Sequence, residues 1–126
     1  MKWEIDTDLI EDWLLSLDAG TYLQVRAALQ ILSVDGPQLG RPLVDAVTTS
    51  RHRNMKELRP GSSGCSEVRM LFAFDPKRRA IILVAGDKAG KWDRWYREAV
   101  PTADALLDKH LEDLKKDEKE DGKNPG

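Results

Sequence analysis

Val68-Arg69-Met70-Leu71-Phe72-Ala73-Phe74-Asp75-Pro76-Lys77-Arg78-Arg79-Ala80-Ile81-Ile82-Leu83-Val84-Ala85-Gly86 is the stretch that decides the fold. Val68, Met70, Phe72 and Phe74 alternate with Arg69, Leu71 and Ala73, so both faces of this run are apolar except at Arg69. That is the pattern of a central strand, about Glu67 to Phe74, covered on both sides. Asp75-Pro76-Lys77-Arg78-Arg79 supplies turn chemistry, and the apolar run Ala80 to Ala85, ended by Gly86, returns as its antiparallel partner. Upstream, about Lys56 to Arg59 reads as one more strand, which makes a three-strand meander.

Towards the N-terminus, Trp3 and Ile5 alternate with polar neighbours in a short strand that stops at Asp6. Asp8 with Glu11 resembles a capping box, and Leu9, Ile10, Trp13, Leu14 and Leu17 follow at helical spacing. A second amphipathic helix, about Thr21 to Leu32, carries Tyr22, Val25, Ala28, Leu29 and Leu32 and is stopped by Asp35-Gly36-Pro37. The two form a helical hairpin. Residues 36–55 show no sustained period and read as a long surface connection. Towards the C-terminus, Asp87 to Trp95 reads as a polar, aromatic loop or short helix. Pro101-Thr102 then opens a third helix, with Ala103, Leu106, Leu107, His110, Leu111 and Leu114 along one side. Residues 115–126 are charged without an apolar face, so a frayed or disordered tail is expected after a single domain at 1–114. The expected fold is α+β: a small antiparallel sheet, the N-terminal strand plus the meander, with the hairpin and the C-terminal helix packed on one face.

The 126 residues are 40% hydrophobic, enough for one domain with a real core and too few for two ordinary ones. One cysteine and two histidines exclude a disulfide scaffold and a structural zinc set. No run approaches 18 apolar residues and the opening residues lack a secretory core, so a soluble, cytoplasmic protein with no membrane partner is expected. Charge is segregated. Residues 1–50 hold 3 Lys/Arg against 8 Asp/Glu, residues 51–97 hold 12 against 5, and residues 98–126 hold 5 against 9. A basic middle between acidic ends suits either a polyanion-binding surface or a solvated basic face.

There is no nucleophile elbow and no Walker loop; Gly86-Asp87-Lys88-Ala89-Gly90-Lys91 lacks the required spacing and Ser/Thr. Cys65 has no basic neighbour to activate a thiolate. What remains is a set of cations that three strands bring towards one another: Lys56, Arg59, Arg69, Lys88 and Lys91. Arg69 is the sharpest, because a guanidinium in an apolar strand must either pair with a carboxylate such as Glu57 or Glu67 or open onto a cleft. In a regular strand Lys56 and Arg59 point to opposite faces, so at most one joins such a cleft. Trp92, Trp95 and Tyr96 offer either rings for stacking unpaired bases or core packing, with Tyr96 the best placed for the cleft. His52, in Ser50-Arg51-His52-Arg53-Asn54, is a candidate general base or a solvated loop residue, and His110 reads as structural.

Met55-Lys56-Glu57-Leu58-Arg59-Pro60, then Val68-Arg69-Met70-Leu71-Phe72, then an apolar strand running into Gly86-Asp87-Lys88, resembles the RelE/HigB superfamily of bacterial toxins, and within it the phage-derived HigB-like branch. The resemblance covers roughly residues 1–112. It implies a RelE-like fold and the toxin of a type II toxin-antitoxin pair. Such a toxin is an endoribonuclease that cuts mRNA in the ribosomal A site and halts translation. The 2′-hydroxyl attacks the adjacent phosphate in line, and no metal or other cofactor is implied. By position, Arg69 matches the family's phosphate-contacting strand arginine, Lys88 and Lys91 its basic residues after the last strand, and Tyr96 its terminal aromatic hydroxyl. Clustered cations stabilise a phosphorane, with Lys56 or Lys91 as the candidate base. Arg51, His52, Arg53, Arg59, Trp92 and Arg94 are the expected RNA contacts. The loop from Gly86 to Tyr96 is longer than in RelE, and the Asp-Tyr-His ending of some HigB toxins is missing. The implied partner is a helix-turn-helix, HigA-like antitoxin that masks the basic face and alone carries the complex to operator DNA. Two alternatives stand beside this: a ParE-type gyrase poison on the same fold, or a catalytically inactive antitoxin-binding protein.

Overall fold

The computed structural model describes residues 2–61 and 67–123, so Cys65 and its Gly/Ser loop lie outside the described residues. Its centre is the hairpin of β4 (Val68–Phe74) and β5 (Arg79–Asp87). The Asp75 side chain closes the turn, its Oδ1 accepting the backbone N–H of Lys77 at 2.9 Å and of Arg79 at 3.0 Å. Arg78 takes the left-handed conformation at φ 63° that the reversal needs. Pairing runs Leu71 to Val84 and then Phe72 to Ile82, which leaves Leu83 as an extra residue in a bulge. The bulge turns both Leu83 and Val84 to one face.

Five strands form one sheet in the order β1-β5-β4-β3-β2, with β1 (Glu4–Asp6) parallel to β5 and the other neighbours antiparallel. The sheet is therefore mixed and one strand larger than the sequence suggested. The added strand, β2 (Val44–Ala46), lies inside the supposed surface connection and pairs with β3 (Lys56–Leu58) at the edge. Three residues are too few for an alternation to show.

The helices cover both faces and not one. Val25, Ala28 and Leu32 of α2 (Ala19–Asp35) pack on Leu58, Met70, Phe72 and Ile82, with short α1 (Glu11–Leu15) beside them. Ala99, Val100, Ala103 and Leu107 of α3 (Trp92–Lys123) pack on Leu71, Ala73, Ile81 and Leu83. Both covers are required, because β4 and β5 are apolar on both faces. The Asp8 capping box does not form: the Asp8 N–H donates to Asp6 Oδ1 at 3.0 Å, and the side-chain cap sits at α2, where Asp18 accepts the Thr21 N–H at 3.1 Å. Helix α3 starts at Trp92, nine residues before Pro101, which lies in its interior. It also continues through Lys123, past Leu114 where fraying was expected, on Lys, Glu and Asp residues that tolerate helix without an apolar face. Among the described residues, no helix is long and apolar enough to cross a membrane.

Candidate functional site

Alternation along β3 sends Lys56 and Leu58 towards α2 and turns Glu57, opposite Leu71, towards α3. Glu57 is 4% exposed, and three side chains from three parts of the chain converge on its Oε1. The Tyr96 hydroxyl donates at 2.8 Å, Arg59 Nε donates at 3.1 Å, and Arg69 Nε lies at 3.0 Å as an ion pair. Arg69 Nε is near enough for attraction but not aligned for a hydrogen bond, while its Nη1 donates to the Val68 carbonyl at 2.8 Å. Of the two carboxylates open to Arg69 from the sequence, Glu57 is the partner. Arg59, just past the end of β3, reaches back to Glu57 and also to Asp45 of β2 at 3.3 Å.

Tyr96 is the member contributed by α3. Burial, then the hydrogen bond to Glu57 and the charge of that carboxylate, push its phenol up to about 12. It therefore stays protonated and acts as a donor. Lys88, buried, holds its Nζ 5.2 Å from the centre of the Tyr96 ring, and Trp95 packs edge-on against the same ring at 5.1 Å. Trp95 belongs to the packing: a Cβ on Gly86 would come within 2.6 Å of its indole Nε1, so β5 needs glycine there to admit the ring.

Several expected members are elsewhere. Lys56 faces α2, its Nζ 5.9 Å from the Phe74 ring centre on the opposite side of the sheet from Glu57. Lys91 is exposed in the turn before α3, its N–H on the Lys88 carbonyl at 2.9 Å. Arg53 and Arg94 are exposed, and Trp92 is the first residue of α3 with its side chain outside the described set. Arg51 and His52 bind protein carboxylates. Arg51 Nη2 pairs with Asp108 at 2.7 Å, His52 Nε2 meets the other Asp108 oxygen at 2.7 Å, and the Ser50 hydroxyl and the Arg51 N–H both donate to buried Asp104. The bonds from Arg51 and then His52 hold the Asp108 carboxyl below the usual carboxylate range. The basic middle of the chain thus meets acids from its acidic flanks, Asp45 on one side and Asp104 and Asp108 on the other.

Between this tethered loop and α3 lies a cleft of about 660 Å³. Thr49 and Arg51 form one wall; Asp93, Tyr96, Arg97, Val100, Pro101 and Asp104 form the other, on one helical stripe. Tyr96 is shared, so the Glu57 cluster stands at the edge of the cleft. Glu57 as a hub and Arg97 as a lining residue went unread in the sequence, though both have a signal: Glu57 sits at the inward position of β3, and Arg97 is one residue from Tyr96. Among the described residues, no group of three or more His, Cys, Asp or Glu is placed to hold a metal.

A mixed sheet sandwiched by a helical hairpin and a long C-terminal helix, with one arginine on β4 and another just past the end of its antiparallel neighbour β3, is the α+β architecture of RelE-like proteins. Residues 12–108 match the family described as Phage derived protein Gp49-like (DUF891), and the chain belongs to that family. It is 57% identical over 109 residues to "Putative toxin HigB2" of Mycobacterium tuberculosis, a match covering 86% of this chain and 54% of that protein. It is 48% identical over 95 residues to "Putative toxin HigB3" of the same organism, covering 75% of this chain and 81% of that protein. The chain thus spans about half the length of the first relative. These matches support the HigB-type resemblance drawn from the sequence. No solved structure matches.

Proposed function

We propose that the chain is the toxin of a type II toxin-antitoxin pair, a metal-independent endoribonuclease that cuts mRNA on the ribosome and stops translation in the cytoplasm. The observation that carries the proposal is the convergence of Arg59, Arg69 and Tyr96 on one buried oxygen of Glu57 at the edge of a cleft. Glu57 holds two guanidiniums and a phenol in fixed register, and their remaining N–H edges suit the non-bridging oxygens of a phosphodiester.

The 2′-hydroxyl attacks the neighbouring phosphorus in line, the bond from phosphorus to the 5′ oxygen breaks, and a 2′,3′-cyclic phosphate and a 5′-hydroxyl remain. Arg69 and Arg59, with Lys88 behind Tyr96, stabilise the charge on the phosphoryl oxygens. Tyr96, protonated at neutral pH, gives its proton to the leaving 5′ oxygen. The proton from the 2′-hydroxyl passes to Glu57, and the 2.8 Å hydrogen bond between Glu57 and Tyr96 restores the phenol. Glu57 takes the place of the lysine base suggested by the sequence, since Lys56 is across the sheet and Lys91 is in an exposed turn. The partner is a helix-turn-helix, HigA-like antitoxin, and contact with operator DNA runs through it. The family match and the names of the two relatives support the toxin assignment.

One observation favours a second reading. Arg51, Arg59 and Arg69 are all ion-paired to protein carboxylates, as expected of a gyrase-type toxin or an antitoxin-holding protein that has no use for a phosphate site. Ribosomes programmed with a defined message separate the readings. The ribonuclease gives discrete cuts bearing 2′,3′-cyclic phosphates that vanish with Arg69→Ala. An uncut message in the presence of folded wild-type protein selects the second reading.

A further inference from the structure

Two charged side chains of the cleft have no assigned work. Asp93 and Arg97 stand one turn apart on the cleft side of α3, yet among the described residues neither makes an ion pair or a side-chain hydrogen bond, with each other or with any other group. The other charged groups of the cleft, Arg51 and Asp104, are engaged with each other and with Ser50 and Asp108. A third polar group joins them. Pro101 has no N–H, so the carbonyl of Arg97, four residues earlier, lacks its helical donor, and both residues line the cleft. Among the described residues, the cleft groups without a protein partner are thus the Asp93 carboxylate, the Arg97 guanidinium and the Thr49 hydroxyl, beside a main-chain carbonyl that lacks its helical donor. They surround an apolar floor of Val100, the Pro101 ring and Tyr96, in a volume typical of small-molecule sites.

We propose that this cleft reads a single unpaired guanine of the RNA strand held at the Glu57 cluster; the proposal rests on the ribonuclease reading and names the base that its site selects. Guanine alone among the four bases presents two adjacent donors, N1–H and the 2-amino group, on one edge and two acceptors, O6 and N7, on another. The donor edge matches the Asp93 carboxylate and the acceptor edge matches the Arg97 fork. Adenine offers one amino donor between two acceptors, cytosine one amino donor followed by two acceptors, and uracil one N–H between two carbonyls, so each leaves Asp93 or Arg97 poorly paired. The orphan Arg97 carbonyl accepts from the remaining amino proton or a ribose hydroxyl. The flat apolar floor receives the base without regard to its identity, and the two charges supply the selection.

The test measures binding, with uncleavable 2′-O-methyl hexauridylates that carry one G, A, C or hypoxanthine at the third position. The expected result is a preference for the G oligonucleotide of about tenfold over A and C. Hypoxanthine, which lacks the 2-amino group, should lose most of it. Asp93→Asn should erase the difference between G and hypoxanthine, whereas Arg97→Ala should weaken both alike; thermal melts confirm that each exposed substitution leaves the fold intact. Equal affinities for all four overturn the proposal. So does the protein-partner alternative, protection of the cleft by added antitoxin with none of the oligonucleotides bound. Because binding is read without cleavage, the two accounts fail separately: guanine preference with no cleavage of any message removes the ribonuclease alone, and cleavage indifferent to base removes the guanine site alone.

Discussion

Two buried carboxylates of the same sheet, Glu57 in β3 and Asp75 at the end of β4, show opposite kinds of attachment. Asp75 accepts two backbone N–H groups of its own turn, pairs with Arg79 at 3.0 Å and meets His110 of α3 at 2.9 Å. Among the described residues, Glu57 receives side chains only, from β4, from the segment after β3 and from α3. A carboxylate bonded to the backbone that encloses it cannot change partners without opening the turn, so Asp75 is a fixed part of the hairpin, and His110 ties α3 to it as a structural histidine. A carboxylate held by side chains alone can release them to an incoming anion through rotamer changes that leave the backbone in place. Burial and charge pairing are shared by the two sites, and the difference lies in what the partners are attached to.

That contrast breaks first under Arg69→Ala. Cleavage of programmed message should fall about 10²- to 10³-fold, the usual cost of one charge-stabilising donor, while the protein stays folded because Arg59 and Tyr96 still satisfy Glu57. The counterpart at the other carboxylate, Asp75→Ala, should cost about 3 kcal/mol in urea unfolding, because it leaves Arg79, His110 and two turn N–H groups without their acceptor. Acidification sharpens the comparison. Burial pushes the Asp75 carboxyl up, but the bond to His110, the turn N–H groups and the charge of Arg79 outweigh it and hold the group below 3.8. Its contribution is therefore full above 3.8 and is lost as pH falls through the lower folded value. The stability gap between wild type and Asp75→Asn should narrow as pH falls below 3.8. Tyr96→Phe also removes the proposed proton donor and should slow cleavage, but on stability it has the smallest effect, about 2 kcal/mol for one hydrogen bond to a charged group, read by thermal melts. With the phenol raised from 10.0 to about 12, that contribution holds below pH 10 and disappears as pH rises through 12.

The central hairpin was legible in the sequence because alternation, turn residues and length all agreed over Val68 to Ala85. The same alternation already stated that Lys56 and Arg59 cannot share a face, and the structure admits Arg59 to the cluster. Strand β2 was hidden by its brevity. The start of α3 was hidden by Pro101, whose usual place at a helix start pointed to the wrong residue. Glu57 was visible only as a possible salt-bridge partner of Arg69, since the sequence does not say that Tyr96, 39 residues later, meets the same oxygen. The segregated charge suggested an open basic face, but folding brings Asp45, Asp104 and Asp108 from the acidic flanks onto those arginines. Segment charge reports composition along the chain, and pairing is decided by topology.

The measurement that tests the central claim most directly is 5′-end mapping of cellular RNA after brief induction of the chain without its antitoxin, with Arg69→Ala and Asp75→Asn in parallel. The account predicts new 5′-hydroxyl ends within translated regions for the wild type, none for Arg69→Ala, and, for the Asp75 variant, cuts at unchanged positions in proportion to the folded protein that remains. Growth arrest with no new ends, or cuts that persist without Arg69, would contradict it.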